Sequence, residues 1–192
     1  MIEKKIYILL TDTGTLFTNL IKLYTKKPYN HASISFNSEL SEVYSFGRKT
    51  ARNPFIGGFV KEDVDKGLFK EANCAVYALT VNEVQLQKMN CYIKEIEAQK
   101  GEYRYNLLGL LGFLFNKPIK RKKAFFCSQF VATVLKECNI IDFGKSPSLV
   151  APNDLQKVSK CQLVYEGELK AYQNKAIGEN ERVPFQFIPV EM

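Results

Sequence analysis

Residues 124–140 read AFFCSQFVATVLKECNI. Phe126, Phe130, Val131, Val134 and Leu135 recur at the spacing of a wide helical face, which predicts a helix buried along most of its length. Cys127 falls in the first turn of that helix. There the aligned peptide dipoles and the free N–H groups favour an anionic sulfur, and the same N–H groups can receive an oxyanion. Cys138 stands at the far end, where the dipole has the opposite sign. On this local pattern alone a second reading of Cys127 stays open, a small apolar residue packed between Phe126 and Phe130.

A cysteine nucleophile needs a base, and the 192 residues contain one histidine, His31. It follows the turn Pro28-Tyr29-Asn30 and opens a segment, 32–37, that pairs with 43–46 across Ser38-Glu39-Leu40-Ser41 as a β-hairpin. With Ala32, Ile34 and Phe36 directed to the core, His31, Ser33 and Ser35 share the opposite face. A base also needs a group that orients its second nitrogen. The neighbouring strand offers Ser45 on one face and Glu42 on the other, and a one-residue slip in register exchanges them. Ser45 is the favoured partner; Glu42 is the stronger acceptor if the register brings it there.

Around this pair the chain predicts a single α+β domain over residues 1–192, with an antiparallel sheet packed against helices that include the Cys-bearing one. Strands are expected at Ile6–Thr11, Ala75–Thr80 and Cys161–Tyr165. Leu16, Leu20, Leu23 and Tyr24 give a helix over 16–24, ended by Pro28. A capping box, Thr80 with Glu83, starts a helix that carries Val84, Met89, Ile93 and Ile96 inward and that Gly101 closes. Gly47 to Asp65 has no clean period and reads as a long ordered loop, of the kind that shapes a site, here with Arg48 and Arg52. Asn153 and Asp154 cap a short helix after the Pro/Ser loop. From about residue 168 the chain is expected to be loosely attached.

Composition narrows the chemistry. Five cysteines without a CxxC pair point to reduced thiols and away from a disulfide framework or a zinc site, and no metal or organic cofactor is implied. The formal charge is +7. Much of it lies between Lys117 and Lys123, which reads as a solvated loop. No nucleic acid is expected as a partner, because that run has no interleaved aromatics. The longest apolar segment, Leu107 to Phe115, is too short to span a bilayer and reads as a core helix. With the basic run it could instead make peripheral contact with an anionic membrane. The apolar run Tyr7–Leu10 is too brief for a signal peptide, so a cytoplasmic location is expected.

Several phrases together carry a family resemblance: Tyr29-Asn30-His31-Ala32-Ser33-Ile34 with its hairpin, Tyr103-Arg104-Tyr105, and Phe126-Cys127-Ser128-Gln129-Phe130-Val131. In this order they resemble the circularly permuted NlpC-type papain-like cysteine hydrolases, in particular the YiiX/YebB-like branch of bacteria, in which the His-bearing strand precedes the Cys-bearing helix. The likeness runs from Ile6 to about Asp154. It implies a permuted papain-like fold, Cys127 as nucleophile, His31 as base, a third polar residue on the second hairpin strand, and a tyrosine, matched by Tyr105, lining the site. Two departures stand out. Cys127-Ser128-Gln129 replaces the more usual Cys-Ser-Glu, and Ser45 stands where relatives commonly carry Glu or His. Lecithin:retinol acyltransferase-like enzymes share the permuted order but have Asn-Cys-Glu-His-Phe, a poorer match.

The expected function is a thiol hydrolase or acyltransferase that cleaves an amide, peptide-like or ester bond of a small peptide-like or acylated substrate through an acyl-enzyme. The Cys127 N–H and the Tyr105 hydroxyl would hold the oxyanion, and Ser128, Asn153 and Asp154 would help form the substrate site. The alternative is a catalytically weak module that uses the same cleft to bind an amino acid, peptide or lipid.

Overall fold

The central strand explains the architecture. In a computed structural model, which describes residues 3–13, 27–48 and 57–180, Ile6, Ile8, Leu9 and Leu10 of β1 (Lys4–Asp12) are all fully buried. A strand with only one covered face would alternate; a near-continuous apolar run asks for cover on both. Both faces are indeed covered. β1 lies inside a six-stranded sheet with the order β4-β3-β2-β1-β5-β8, formed with β2 (His31–Ser35), β3 (Val43–Arg48), β4 (Gly57–Glu62), β5 (Asn73–Val81) and β8 (Cys161–Glu168). Every neighbouring pair is antiparallel. The protein is thus mixed α+β, with an antiparallel sheet packed against helices.

On one face Ile6, Ile8, Leu10, Ile34 and Phe46 join the main core with two helices. Helix α1 (Glu83–Ala98) contributes Met89, Ile93 and Ile96. A short helix, α2 (Leu107–Leu114), comes next, and α3 (Cys127–Glu137) then supplies Phe130, Val131, Val134 and Leu135. Phe46 is the hinge of this packing: its ring lies 5.1 Å from those of both Phe125 and Phe130. Phe125 belongs to a small parallel pair, β6 (Arg104–Tyr105) with β7 (Ala124–Phe125), that leads directly into α3. Gly57 lets this pair approach the edge of the sheet, since a Cβ there would sit 2.8 Å from the Tyr105 Cβ. The N-terminus of α3 is thereby brought to the end of the sheet at which β2 begins.

The opposite face is not open to solvent. Leu9, Val43, Cys74 and Val76 pack there with Val64, and with Leu169 and Tyr172 of the C-terminal helix α5 (Leu169–Asn180). A four-residue helix, α4 (Pro152–Leu155), precedes β8.

Several expectations need correction. The segment 47–65 is not all loop, because 57–62 form β4, and β3 runs on to Arg48. The helix box uses Asn82 and Gln85 in place of Thr80 and Glu83: β5 extends to Val81, so Thr80 is still in the strand. The helix ends at Ala98, before Gly101. Val84, expected inward, is 62% exposed, and Cys91 on the same helix is exposed as well. Residues 169–180 form a helix whose Leu169 and Tyr172 are buried, so looseness from residue 168 does not hold for that stretch. The helix expected over 16–24, and Arg52, lie outside the described residues.

Phe130 tests the packing that sets α3 under the sheet. It is fully buried and touches the rings of Phe46 and Phe59. Phe130→Ala is expected to lower unfolding free energy by about 3–5 kcal/mol in chemical denaturation.

Candidate active site

His31 opens β2 opposite Thr11, and its backbone is fixed by the residue before it. The buried Asn30 donates its backbone N–H to the Thr11 carbonyl at 3.1 Å and its Nδ2 to Asp12 Oδ1 at 2.7 Å. The Asn30 Oδ1 in turn accepts the Thr13 N–H at 3.2 Å. The imidazole therefore enters from a pinned strand end.

The imidazole is held by a carboxylate. His31 Nε2 donates to Glu62 Oε1 at 2.7 Å, with side-chain exposures of 12% and 6%. Ser45 Oγ donates to the same oxygen at 2.5 Å, and Ser33 Oγ donates to Oε2 at 2.6 Å. Register explains why these groups meet. Ile34 faces Tyr44 and Ser35 faces Val43, which sets Ser45 on the side of Ser33; Val43 also faces Glu62, which brings the carboxylate to that side.

The other ring nitrogen, Nδ1, is not used by Glu62, and Cys127 is near enough to the imidazole to raise its pKa. Burial alone would pull the His31 pKa down. The Glu62 charge, reinforced by nearby Cys127 and by the hydrogen bond to Glu62, more than offsets this and carries it from 6.5 to about 10. Burial would push the Glu62 carboxyl up, yet the imidazole charge and the donors from His31, Ser33 and Ser45 hold it below its ordinary value. The pair is therefore an imidazolium with a carboxylate, and the Phe69 ring, 6.0 Å from that of His31, closes the site beside it.

Cys127 is the first residue of α3 and is 5% exposed. Phe126, the N-cap residue, has no side-chain acceptor to offer the first-turn N–H groups. Gln129 Oε1 instead accepts the Phe126 N–H at 3.4 Å and Asn106 Nδ2 at 3.2 Å, which ties the start of α3 to the start of α2. A small cleft, of about 10 Å³, opens at Cys127, walled by Asn30, Leu110, Phe113, Phe126, Ala151 and Pro152.

The remaining expected site residues are distributed unevenly. Ser128 borders the cleft, but its hydroxyl donates to the Val150 carbonyl at 2.7 Å and so fastens α3 to the segment before α4. Tyr105 packs against the Leu110 and Phe126 cluster at the side of the cleft. Glu42 is not at the site: it lies on the Tyr44 side of the hairpin and pairs with Lys61 at 3.5 Å, both side chains half-exposed. Asp154 accepts the Ala151 N–H at 3.0 Å and pairs with Lys145 at 2.6 Å, and Asn153 Oδ1 accepts from Gln156 Nε2. Those two shape α4, and it is Ala151 and Pro152 that reach the cleft.

Sequence reasoning missed Glu62 and Asn30. Phe59-Val60-Lys61-Glu62 does not alternate, and it follows a Gly- and Pro-containing stretch, so nothing local marks the strand. Asn30 read only as a turn residue. Among the described residues no group of three or more His, Cys, Asp or Glu side chains is placed to hold a metal ion. In comparisons with known proteins, no family model matches the chain, and neither a curated protein nor a solved structure does.

The charge state of the pair is open to test. Glu62→Gln keeps the shape but removes the charge and is expected to cost about 3 kcal/mol. Depression of the Glu62 pKa stabilises the fold above about 4.5, an effect lost as pH falls through the depressed value. Elevation of the His31 pKa stabilises it fully below 6.5, an effect lost as pH rises through about 10. Denaturant melts of both proteins at stepped pH should show the widest gap between these lower bounds and a narrowing toward the alkaline end. A gap that does not change with pH would mean that the pair is not charged.

Proposed function

We propose that the protein is a cysteine hydrolase or acyltransferase of the permuted papain-like kind, with Cys127 as nucleophile, His31 as general base and acid, and Glu62 as the group that orients His31. The observation that carries this is a buried grouping of three residues: a thiol at a helix N-terminus, an imidazole near enough to feel it, and a carboxylate that holds one ring nitrogen. The resemblance implied a polar partner on the second hairpin strand. Here Ser45 occupies that strand, while the carboxylate comes from the next one, β4, and binds Ser45 and His31 together.

The reaction follows from the geometry. With His31 already an imidazolium, Cys127 reacts as the thiolate of an ion pair, and its sulfur forms a bond to the substrate carbonyl carbon while the carbonyl pair moves onto oxygen. That oxyanion lies at the Cys127 N–H, at the open start of α3. The pair returns from oxygen, the bond to the leaving amine or alkoxide breaks, and His31 gives its proton to it. Water or another acceptor then attacks the thioester with His31, now neutral, taking its proton, which releases the acyl group and restores the thiolate–imidazolium pair. Glu62 keeps the ring in place through these transfers and stabilises its charged form.

The binding-module alternative rested on a missing partner for His31, and Glu62 removes that ground. Iodoacetamide at neutral pH decides between them. Cys127 is expected to alkylate at least tenfold faster than Cys74, Cys91, Cys138 and Cys161, as located by peptide mass mapping, although Cys91 is the exposed one. His31→Ala should remove that advantage, and Glu62→Gln should reduce it. Labelling that simply follows exposure, with Cys91 first, would overturn the enzyme assignment.

A further inference from the structure

Helix α2 has the sequence Leu-Leu-Gly-Leu-Leu-Gly-Phe-Leu, without a polar side chain. Its inner face is accounted for, since Leu110 and Phe113 wall the Cys127 cleft. Its outer face is not. Leu108 is 51% exposed, Leu111 48%, and Phe115, just past the helix, 75%. These residues stand at i, i+3 and i+7 and form one apolar stripe where a surface helix in water carries polar groups. The expectation of a core helix is thus correct for one side only.

The chain then doubles back onto this helix. Lys117 donates its N–H to the Gly112 carbonyl at 2.8 Å, and Asn106 Nδ2 reaches the Ile119 carbonyl at 3.5 Å. A Cβ on Gly112 would meet the Lys117 carbonyl at 2.5 Å, so glycine is what lets the loop lie directly against the helix. Ile119, 37% exposed, extends the apolar stripe. Lys117, Lys120, Arg121 and Lys122 are exposed on the same loop and form no ion pair with any described residue. Lys123 differs, being paired with Glu102.

We propose that α2 and the loop 117–122 dock on the surface of an anionic lipid bilayer, with Leu108, Leu111 and Phe115 entering the boundary between headgroups and acyl chains and the four cations meeting lipid phosphates. Charge complementarity selects this occupant: a second copy of the chain would bring two sets of four cations together across the contact. The helix lies in the interface and does not cross it, since eight residues span only about 12 Å. Because Leu110 and Phe113 wall the cleft from the other side of the same helix, docking sets the cleft at the bilayer, and the substrate class is a lipid-borne acyl ester or amide. This last step rests on the proposed thiol chemistry; the docking itself does not.

The test is sedimentation of the full chain with vesicles of phosphatidylcholine alone and of phosphatidylcholine with phosphatidylglycerol. Binding is expected to the second kind, weakening as salt rises. Lys120→Glu/Arg121→Glu/Lys122→Glu should lower partitioning by about 100-fold or more, and Leu111→Glu/Phe115→Glu should abolish it, both with unaltered thermal melting because the changed side chains are exposed. Cys127→Ala should bind as the parent does. No binding to anionic vesicles at low salt, binding that the variants leave intact, or a concentration-dependent dimer lost on Leu111→Glu would each overturn the docking. Persistent binding with unselective alkylation of Cys127 would leave the docking standing and overturn the lipid-substrate step with the thiol chemistry.

Discussion

A buried carboxylate that accepts three hydrogen bonds is the constraint around which this end of the molecule is organised. Removing Glu62 from water unpaired would cost several kcal/mol. His31, Ser33 and Ser45, taken from two adjacent strands, repay that cost only if β2, β3 and β4 keep one register. A slip of one residue in any of the three would turn its donor or its acceptor to the opposite face and leave the charge stranded. The polar cluster therefore specifies strand pairing where glycines at 47, 57 and 58 leave little side-chain packing to do so.

The same cluster explains why parts of the fold were legible in the sequence and others were not. His31 and Cys127 announce themselves through local pattern, one as a unique imidazole at a strand start and the other in the first turn of an amphipathic helix. Ser45 followed from the hairpin once its register was known, whereas Glu42, a stronger acceptor by type, was disqualified by the parity of a strand. Glu62 had no local signal. Its strand is short, emerges from a Gly/Pro stretch, and acquires its role only through Val43 opposite it. Long-range pairing of this kind is a property of the sheet, not of a window of residues. The C-terminal helix was missed for a related reason: its composition is polar, and Leu169 and Tyr172, two residues of its first turn, tie it to the second core.

Burial and polarity divide the work at the cleft. Of the residues that wall the cleft at Cys127, Asn30 and Ser128 are polar, whereas Leu110, Phe113, Phe126, Ala151 and Pro152 are apolar. An apolar wall excludes water from the sulfur and lowers the local dielectric, which strengthens every charge interaction of His31. The His31 pKa would fall if burial acted alone; it rises because the apolar surroundings that penalise the imidazolium also magnify the Glu62 charge that stabilises it.

On the proposed function, this balance links the chemistry to α2. Asn106 caps α2 by accepting the Gly109 N–H at 2.9 Å, donates to Gln129 in the first turn of α3, and reaches the carbonyl of Ile119 in the basic loop. A single fully buried side chain thus joins the nucleophile's helix, the cleft wall and the cationic loop. A movement of the loop against α2 would act on the Asn106 amide, and through Gln129 on the N–H of Phe126 next to Cys127. The apolar outer stripe and the catalytic thiol are consequently parts of one mechanically continuous unit, and a surface that held the loop and the helix together would also hold the start of α3 in the geometry that an oxyanion needs.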